Sequence, residues 1–464
     1  MADRFHYTSL TLENVRAFAQ TQTLGLMHKD GKPARWCVIL GDNGAGKTTL
    51  MHALAVMRPK PAFARNNDGQ TAQVTGQKEG KETDDPDSIE PELTALENDQ
   101  IESFVRHGED VITTINSTLR SDSGVDIALG IRIVVEGGKL VSVEPETGEH
   151  KLTHRGPLLI PYHASRHAGD QNVAGITTLD PTAALFDERI ELMDVNEVIA
   201  TLDYAALAAM REKDQKDLVR LEAFRDALLD AISAIIPARG GARIHPRGPR
   251  LPGSAGERTG IWVETPSGEV PLSEASLGYR TTISWVADLA WRLFTQRPES
   301  AAPLQENAIV LIDEVDLHLH PRWQRELRGH LLEHFPNIQF IVTSHSPFVA
   351  QESIAQGDPV AVVRWESDHA VIVNGPLAPR SWRFEEVVVE AFDIEPPVDT
   401  VATRKLRRRR ELLLRSELNA GERGELTELN AFVHGLQESD SQDVDFERMV
   451  ARVKQLEDQL AARQ

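Results

Sequence analysis

The spacing of apolar and polar positions predicts a layered α/β core. Residues 5–12 and 36–40 form apolar runs that are short and end at turn residues, as buried strands do. Residues 48–57 follow with helical spacing. Strand and helix patterns return later in the chain, at residues 158–161, 270–294, 308–313 and 339–343. This alternation is typical of an α/β domain in which helices flank a mixed sheet.

The stretch between these parts of the core has a different pattern. Residues 59–88 are polar and have little to bury, which predicts a mobile segment within a polar and acidic insertion over 59–120. Residues 93–119 have a helical pattern. Residues 125–143 alternate around the Gly137-Gly138 pair, which predicts a β-hairpin.

Helical spacing dominates two further segments. Apolar residues recur at helical positions up to Ile236, which predicts a helical lobe over 186–237 within a head of residues 1–380. The remaining residues, 381–464, are charged and helical in pattern, and residues 449–460 are amphipathic. We expect this C-terminal region to dock a partner or to support oligomerisation, with packing on its own head as the alternative.

Composition narrows the class of protein. The chain has 464 residues, a formal net charge of -21 and one cysteine, Cys37. A single cysteine excludes an intramolecular disulfide and fits a reducing compartment. No apolar run is long enough to span a bilayer, and the start of the chain lacks the features of a secretion signal. We therefore expect a soluble, cytoplasmic protein with no membrane partner.

The negative charge bears on nucleic-acid binding. An acidic chain is repelled by DNA on average, so DNA contact would require a local basic patch. Residues 404–410 form one such patch, and a second contains Arg239, Arg243, Arg247, Arg250 and Arg258. Charge runs are usually solvated loops or helix faces. DNA binding therefore stays open.

A glycine-rich turn follows directly after the 36–40 strand. It fits the P-loop pattern G-x-x-x-x-G-K-[ST] from Gly41 to Thr48. In such a loop the backbone N–H groups and the positive end of the next helix bind phosphate. Lys47 would reach the β- and γ-phosphates of ATP, and Thr48 would bind Mg²⁺ through its hydroxyl. The predicted nucleotide-binding residues are Asn43, Gly44, Ala45, Gly46, Lys47, Thr48 and Thr49.

Two carboxylates end the apolar run at residues 309–312. This is the form of a buried parallel strand whose C-terminal end opens on a ligand crevice. Asp313 would bind Mg²⁺, and Glu314 would polarise the attacking water as the general base. Surface carboxylates that merely close a strand are the alternative for either residue alone.

A second strand pattern, at residues 339–343, delivers a polar cluster to the same edge of the sheet. His345 lies in this cluster and could bind the γ-phosphate and sense its presence. A single histidine at such a position is more often a structural hydrogen-bonding residue.

These three motifs together resemble the ABC-type ATPase heads of the SMC, recombination-repair and OLD-like group. In that family one subunit presents a signature loop, Leu-Ser-x-Gly, to the γ-phosphate bound on the other. Residues 275–280 look like that loop, with Ser276 and Gly278 in matching positions and a departure at Ala275. The resemblance implies a homodimer that holds ATP and Mg²⁺ between its heads, with a higher oligomer left open. A bulky acid at Gly278 is expected to block the opposing γ-phosphate.

Other segments are closer to one branch of the group. Residues 162–166 look like the Tyr-x-x-Ser-Arg run of bacterial antiphage ATPases of the Septu and retron-associated types. Asp316 and His318 match the loop that couples the two sites across the dimer. Several glutamines are candidates for the glutamine loop of the family, and spacing does not choose among them.

The resemblance leaves several function classes to compare. A transporter motor has its P-loop and signature close together, whereas Lys47 and Ser276 are far apart here. An SMC protein needs long heptad arms, and the helical lobe is too short for them. An OLD-like nuclease carries a further nuclease domain, for which the chain is too short. We expect a sensor ATPase of antiphage defence that controls a separate effector, a nuclease, with a compact DNA-repair ATPase as the alternative.

Overall fold

The computed structural model describes residues 4–61, 89–91, 98–108, 110–147, 157–166, 168–171, 192–235, 244–247, 260–265, 268–375 and 419–438, with the single residues 405, 408, 409 and 412. The chain divides into two compact units, Met1–Arg380 and Ser381–Gln464.

The described part of the first unit contains the strands and helices that build the site. In chain order the strands are Phe5–Glu13 (β1), Gln22–Gly25 (β2), Trp36–Gly41 (β3), Pro59–Pro61 (β4), Ile89–Pro91 (β5), Val111–Ser121 (β6), Asp126–Glu136 (β7), Lys139–Thr147 (β8), Leu159–Tyr162 (β9), Ala168–Gln171 (β10), Leu192–Met193 (β11), Ile244–Arg247 (β12), Gly260–Thr265 (β13), Gly268–Pro271 (β14), Ala308–Ile312 (β15), Ile338–Ser344 (β16), Val360–Glu366 (β17) and His369–Asn374 (β18). The helices are Lys47–Val56 (α1), Asn98–Glu102 (α2), Val195–Glu212 (α3), Gln215–Ile235 (α4), Leu277–Gln296 (α5), Pro321–His334 (α6) and Pro347–Gln356 (α7).

A six-stranded sheet forms the centre of this unit, in the order β18-β17-β3-β16-β15-β9. Its strands pair in parallel except for β17 with β18. Every residue of β3, β15 and β16 is buried, as expected for strands covered on both faces. Because the carboxyl ends of parallel strands meet at one edge, the turns that follow these three strands lie side by side. The α/β fold with a mixed sheet and flanking helices, predicted from the sequence, is confirmed.

A second, antiparallel sheet has the order β2-β1-β6-β7-β8. The β7–β8 turn has positive φ at Gly137 (57°) and Gly138 (73°), as a tight two-residue hairpin turn requires. The hairpin expected around these two glycines is therefore present.

The helical prediction for residues 93–119 is wrong at its C-terminal part. That part is the strand β6, and only α2 is helical among the described residues before it. The buried face of β6 includes Thr113, Ser117 and Ser121 beside its apolar residues. Because some residues of the buried face are polar, the apolar positions alone do not show the two-residue period of this strand.

The same strand corrects the predicted 59–120 insertion. β6 pairs with β1 from Phe5 to Glu13, so the end of that range belongs to the antiparallel sheet. At the other end, β4 pairs with β5 in a short antiparallel ladder. The polar residues 62–88 lie outside the described residues.

The helical lobe consists of α3 and α4, as the spacing predicted within the range 186–237. Asp194 caps α3 by accepting from the Asn196 N–H, and Lys213 ends it in the left-handed region, with φ 61°. Phe224 of α4 stacks on Phe294 of α5 with ring centroids 4.3 Å apart. The lobe is thereby packed on the helix that follows the signature-like loop.

The second unit contains the helix Ala420–Glu438 (α8). Arg408 forms a two-point ion pair with Glu425, at 2.9 and 3.0 Å, and Arg409 donates to Asn430 at 2.7 Å. These two members of the 404–410 basic patch are thus partnered by side chains of α8. The amphipathic 449–460 segment and the other patch, apart from Arg247, lie outside the described residues. Among the helices of the described part, none is long and apolar enough to cross a membrane.

Candidate nucleotide site

The P-loop connects β3 to α1 and curls through three glycines with positive φ. Gly41, Gly44 and Gly46 have φ of 150°, 74° and 107°. A Cβ at Gly41 would lie 2.2 Å from the carbonyl oxygen of Val363, and one at Gly46 would lie 3.0 Å from the Phe18 ring. Asn43 and Gly44 are exposed at the rim of the loop, whereas Ala45 and Thr49 are buried. The loop thus packs closely against Val363 and Phe18, while its rim is open to solvent.

Lys47 and His345 meet at the mouth of this loop. The Lys47 ammonium donates to the carbonyls of Gly41 and Asp42 at 2.9 and 3.0 Å, and lies 2.8 Å from His345 Nε2. Burial lowers the pKa of both side chains, and the charge of Lys47 lowers the pKa of His345 further. Because an ammonium only donates, the neutral imidazole accepts at Nε2 and carries its proton on Nδ1. Both groups can face the same phosphate.

Asp313 is the centre of a buried hydrogen-bond cluster. Its Oδ2 accepts from the Thr48 hydroxyl at 2.8 Å, and its Oδ1 accepts from the Thr343 hydroxyl at 2.5 Å. A hydroxyl and a carboxylate side by side next to a phosphate-binding loop are the oxygen ligands that Mg²⁺ takes in nucleotide sites. The residues therefore fit Mg²⁺, which Thr48 and Asp313 would hold. Thr343, which sequence analysis treated only as a strand end, is part of this cluster.

Glu314 has a strained backbone, with φ 49°. Its N–H donates to Thr343 Oγ1 at 2.7 Å. On the other side, the buried Arg166 donates to the carbonyl oxygens of Asp313 at 2.5 Å and Glu314 at 2.9 Å. Burial lowers the pKa of Arg166 to about 10, against the opposing effect of the nearby carboxylates, so Arg166 stays charged at neutral pH. The contacts of Thr343 and Arg166 therefore fix the turn that presents the Glu314 side chain.

A glutamine that sequence analysis did not single out braces the loop after Glu314. Gln324 Nε2 donates to the carbonyl oxygens of Leu319 and Asp316 at 3.0 and 3.3 Å, and its Oε1 accepts from Ser346 Oγ at 2.6 Å. The Asp316 carboxylate accepts from the His345 N–H at 3.3 Å. The loop containing Asp316 and the His345 turn are thus joined within one chain.

The signature-like loop has one exposed and one buried position. Ser276 occupies the N-cap position of α5. It is exposed, and its side chain makes no capping hydrogen bond. Gly278 is buried, and a Cβ there would lie 2.4 Å from the carbonyl oxygen of His318. A bulky acid at Gly278 would therefore displace its own chain as well as any partner, which makes Ser276 the cleaner position to test. Within the described residues, no hydrogen bond joins either position to the P-loop.

A cleft of about 760 Å³ lies beside the P-loop. Ala17 lines the cleft and lies 3.6 Å from the position of a Cβ on Gly46. Arg106 holds the floor by donating to the carbonyls of Ala17 and Asp368 at 3.3 and 3.1 Å, while Trp365 on the wall is half exposed. Sequence analysis did not single out these residues.

Comparison with known proteins agrees with this arrangement. Residues 177–350 match the family described as AAA domain, putative AbiEii toxin, Type IV TA system. This segment includes Ser276, Asp313, Glu314 and His345. The chain is thus similar to SMC- and ABC-like ATPases, as its motifs predicted.

Parts of the chain are similar to named defence proteins. Over 81 residues the chain is 48% identical to the Retron Vc95 probable ATPase of Vibrio cholerae serotype O1 biovar El Tor, which is 18% of this chain and 16% of that protein. Over 76 residues it is 51% identical to the Retron Ec83 probable ATPase of Escherichia coli, or 16% and 14% of the two chains. Over 127 residues it is 32% identical to the Septu protein PtuA of Bacillus mycoides (strain KBAB4), or 26% and 16%. The chain thus spans 14–16% of the length of these three relatives.

Among solved structures, an SMC head bound to the C-winged helix domain of ScpA aligns over 80% of this chain and 98% of that chain, with a TM-score of 0.44 and 13% identity. The α/β fold of the chain follows from the strand order of its central sheet.

Proposed function

We propose that the protein binds and hydrolyses ATP and acts as a nucleotide-gated switch in antiphage defence. The observation that carries this proposal is the cluster of Lys47, Thr48, Asp313, Glu314 and His345 at one edge of the central sheet. Each of these side chains has a distinct task in phosphoryl transfer to water. The proposal includes the cytoplasmic location expected from the sequence.

The chemistry follows from the positions of these residues. The P-loop amides and Lys47 bind the phosphates, and Mg²⁺ held by Thr48 and Asp313 would neutralise charge that develops between the β- and γ-phosphates. Glu314 accepts a proton as water attacks the γ-phosphorus. The bond from that phosphorus to the bridging oxygen breaks, and ADP leaves. His345 donates to the γ-phosphate from Nε2, which requires its proton to move there from Nδ1 or the ring to gain a second proton.

The cleft beside the P-loop suits the nucleoside. Trp365 offers a half-exposed ring on which a base can stack, and Arg16 and Arg106 are cationic residues in the lining of the cleft. We propose that the base and ribose lie there. This placement extends the phosphate site without using any residue of the signature-like loop.

The exposed Ser276 supports a site shared between two copies of the chain. A hydroxyl at a helix N-terminus favours an anion, and this one faces solvent. We propose that it contacts the γ-phosphate bound to a second copy, so that ATP holds two heads together, with a higher oligomer compatible with this arrangement.

The names of the relatives support defence as the process. Two are named as retron probable ATPases and one as a Septu protein, although each match covers a small part of the relative. We propose that the output is a change of shape that a separate effector, a nuclease, detects. A DNA-repair role is the competing outcome.

The experiment uses the purified chain and cells that express it with its neighbouring genes. We expect slow release of phosphate from ATP, no DNA cleavage by the isolated protein, and phage protection that requires Asp313. Metal-dependent DNA cleavage that survives Asp313→Asn but is lost on a substitution outside the ATP site would contradict a separate effector. Sensitivity to DNA damage without loss of phage protection would favour repair.

A further inference from the structure

The motif at residues 162–166 has no role in the ATP hydrolysis proposed above. It follows β9, the edge strand that pairs with β15. Along this pairing, the Asp313 N–H donates to the carbonyl oxygen of Tyr162 at 2.9 Å. The segment therefore runs beside the turn that carries the two catalytic carboxylates.

Its C-terminal end holds that turn through Arg166. The guanidinium spans two consecutive carbonyls, those of Asp313 and Glu314, with two different nitrogen atoms. The planar guanidinium holds these two donors at a fixed spacing, whereas a lysine ammonium is a shorter, more compact group whose donors all lie on one nitrogen atom. Because Thr343 holds the Glu314 N–H and Arg166 holds its carbonyl, the backbone that directs the Glu314 side chain is held on both sides.

Its N-terminal end is bound to the helix that begins at the signature-like loop. The Tyr162 hydroxyl donates to Asp288 Oδ2 at 2.8 Å, and the same oxygen accepts from Arg292 Nε at 2.6 Å. Asp288 is fully buried, and both it and Arg292 lie on α5. Burial and then the Asp288 charge raise the pKa of Tyr162 well above its usual range, so the hydroxyl stays a donor.

The residues between these two ends are braced by contacts within the segment. His163 Nδ1 accepts from the Ser165 N–H at 3.0 Å and lies 2.8 Å from Ser165 Oγ. Arg166 also donates to the His163 carbonyl at 3.3 Å. The segment is therefore closed by its own hydrogen bonds in addition to the contacts at its two ends.

We propose that residues 162–166 form a strap that positions Glu314 and links it to α5, with Arg166 as the positioning residue. The strap gives a physical route by which contact of Ser276 with a second nucleotide, through α5, reaches the general base. This inference rests on the proposed ATP hydrolysis, because Glu314 is assigned its role there.

The test compares Arg166→Lys, Tyr162→Phe and the double variant with wild type. Arg328→Lys is the matched control, since it weakens a two-point pair with Asp358 that, among the described residues, takes no part in the hydrogen bonding of this turn. We measure kcat, the affinity for a fluorescent ATP analogue, and hydrogen exchange of the peptide that covers 313–316. In Arg166→Lys we expect kcat to fall roughly 100-fold, the loss typical of a catalytic group displaced by about 1 Å, with nucleotide affinity nearly unchanged. Exchange at 313–316 should rise, and exchange in the P-loop should stay the same.

The link between the two ends is tested by Tyr162→Phe. We expect a smaller rise in exchange at 313–316 and a smaller fall in kcat, because Asp288 keeps Arg292. If the strap acts as one unit, Tyr162→Phe adds little to Arg166→Lys in the double variant. Fully additive effects would overturn the link.

Other results would overturn the positioning role. These are wild-type kcat and exchange in Arg166→Lys, an equal loss of nucleotide affinity and kcat, or the same exchange pattern in Arg328→Lys. If the wild-type protein does not hydrolyse ATP, the proposed function fails, while the exchange measurement still decides whether the strap holds the turn.

Discussion

The proposed phosphate pocket is formed by the P-loop and the hydrogen-bond cluster around Asp313. This pocket and the signature-like loop differ in how their polar groups are hydrogen-bonded. In the pocket, Thr48, Asp313 and Thr343 are joined by short hydrogen bonds, and Lys47 is bound to its own loop. In the loop, the Ser276 side chain is exposed and makes no cap bond. The pocket is thus organised within one chain, whereas Ser276 can exchange water for another partner at little cost.

The two regions also differ in what a substitution would disturb. A change in the pocket leaves buried polar atoms unpaired, because Asp313 is 3% exposed and bonded on both oxygens. A change at Ser276 leaves the chain's own contacts intact. The pocket is therefore suited to binding, and the loop is suited to respond to a second copy.

The largest expected effect is at Glu314, the proposed general base. Glu314→Gln should lower kcat by roughly 10²- to 10⁴-fold, because an amide cannot accept the proton from water. ATP affinity should be retained, since both phosphate-binding elements stay whole. Phosphate release and equilibrium binding measure the two quantities, and Glu326→Gln, at a partly exposed carboxylate of α6 that pairs with Arg322, is the control. Turnover near the wild-type rate would remove Glu314 from its role.

A smaller loss is expected when the loop is blocked. Ser276→Arg should lower kcat by roughly 100-fold while sparing ATP binding, because the loss is confined to a contact with the transition state. Ser273→Arg makes the same change at another exposed position and is the control. If Ser276→Arg weakens ATP binding as much as turnover, the division between pocket and loop is wrong.

Lys47→Ala tests the pocket by itself. Loss of a charge-assisted contact should weaken ATP binding by roughly 10- to 100-fold, with Lys32→Ala, on an exposed side chain, as the control. Mixing Lys47→Ala with Ser276→Arg should restore up to one working site per heterodimer. If activity does not recover but the signature-like loop can be crosslinked to the P-loop of a second copy, the two sites are strictly coupled. If neither recovery nor the crosslink is seen, the shared site is contradicted.

The smallest effect concerns pH. Burial and then Lys47 lower the pKa of His345, so the unfolded chain takes up a proton near pH 6.5 before the folded chain does. The stability that His345 contributes is therefore full above this pH and is lost as the pH falls towards its folded pKa. Between pH 8 and pH 5.5, the Tm of the His345→Gln variant should fall less than that of the wild-type protein. His6, whose pKa burial also lowers, contributes equally in both proteins. An identical loss in the two would contradict the contact of the Lys47 ammonium with a neutral His345.

The parts of the site that the sequence predicted are those formed by neighbouring residues. The P-loop and the Asp313-Glu314 strand end are local patterns, and the helical lobe has a clear period. The strand β6 was missed because threonine and serine share its buried face. The contacts of Arg166 with Asp313, and of Tyr162 with Asp288, join residues 147 and 126 positions apart, which no local pattern encodes.

Light scattering of Glu314→Gln with ATP and Mg²⁺ tests the shared site most directly. We predict a nucleotide-dependent doubling of the mass measured without ATP, because binding is retained and hydrolysis cannot release the second copy. Adding Ser276→Arg to the same chain should prevent this doubling, and adding Ser273→Arg should not. ATP binding without any change of mass, or a doubling that survives Ser276→Arg, would contradict the account.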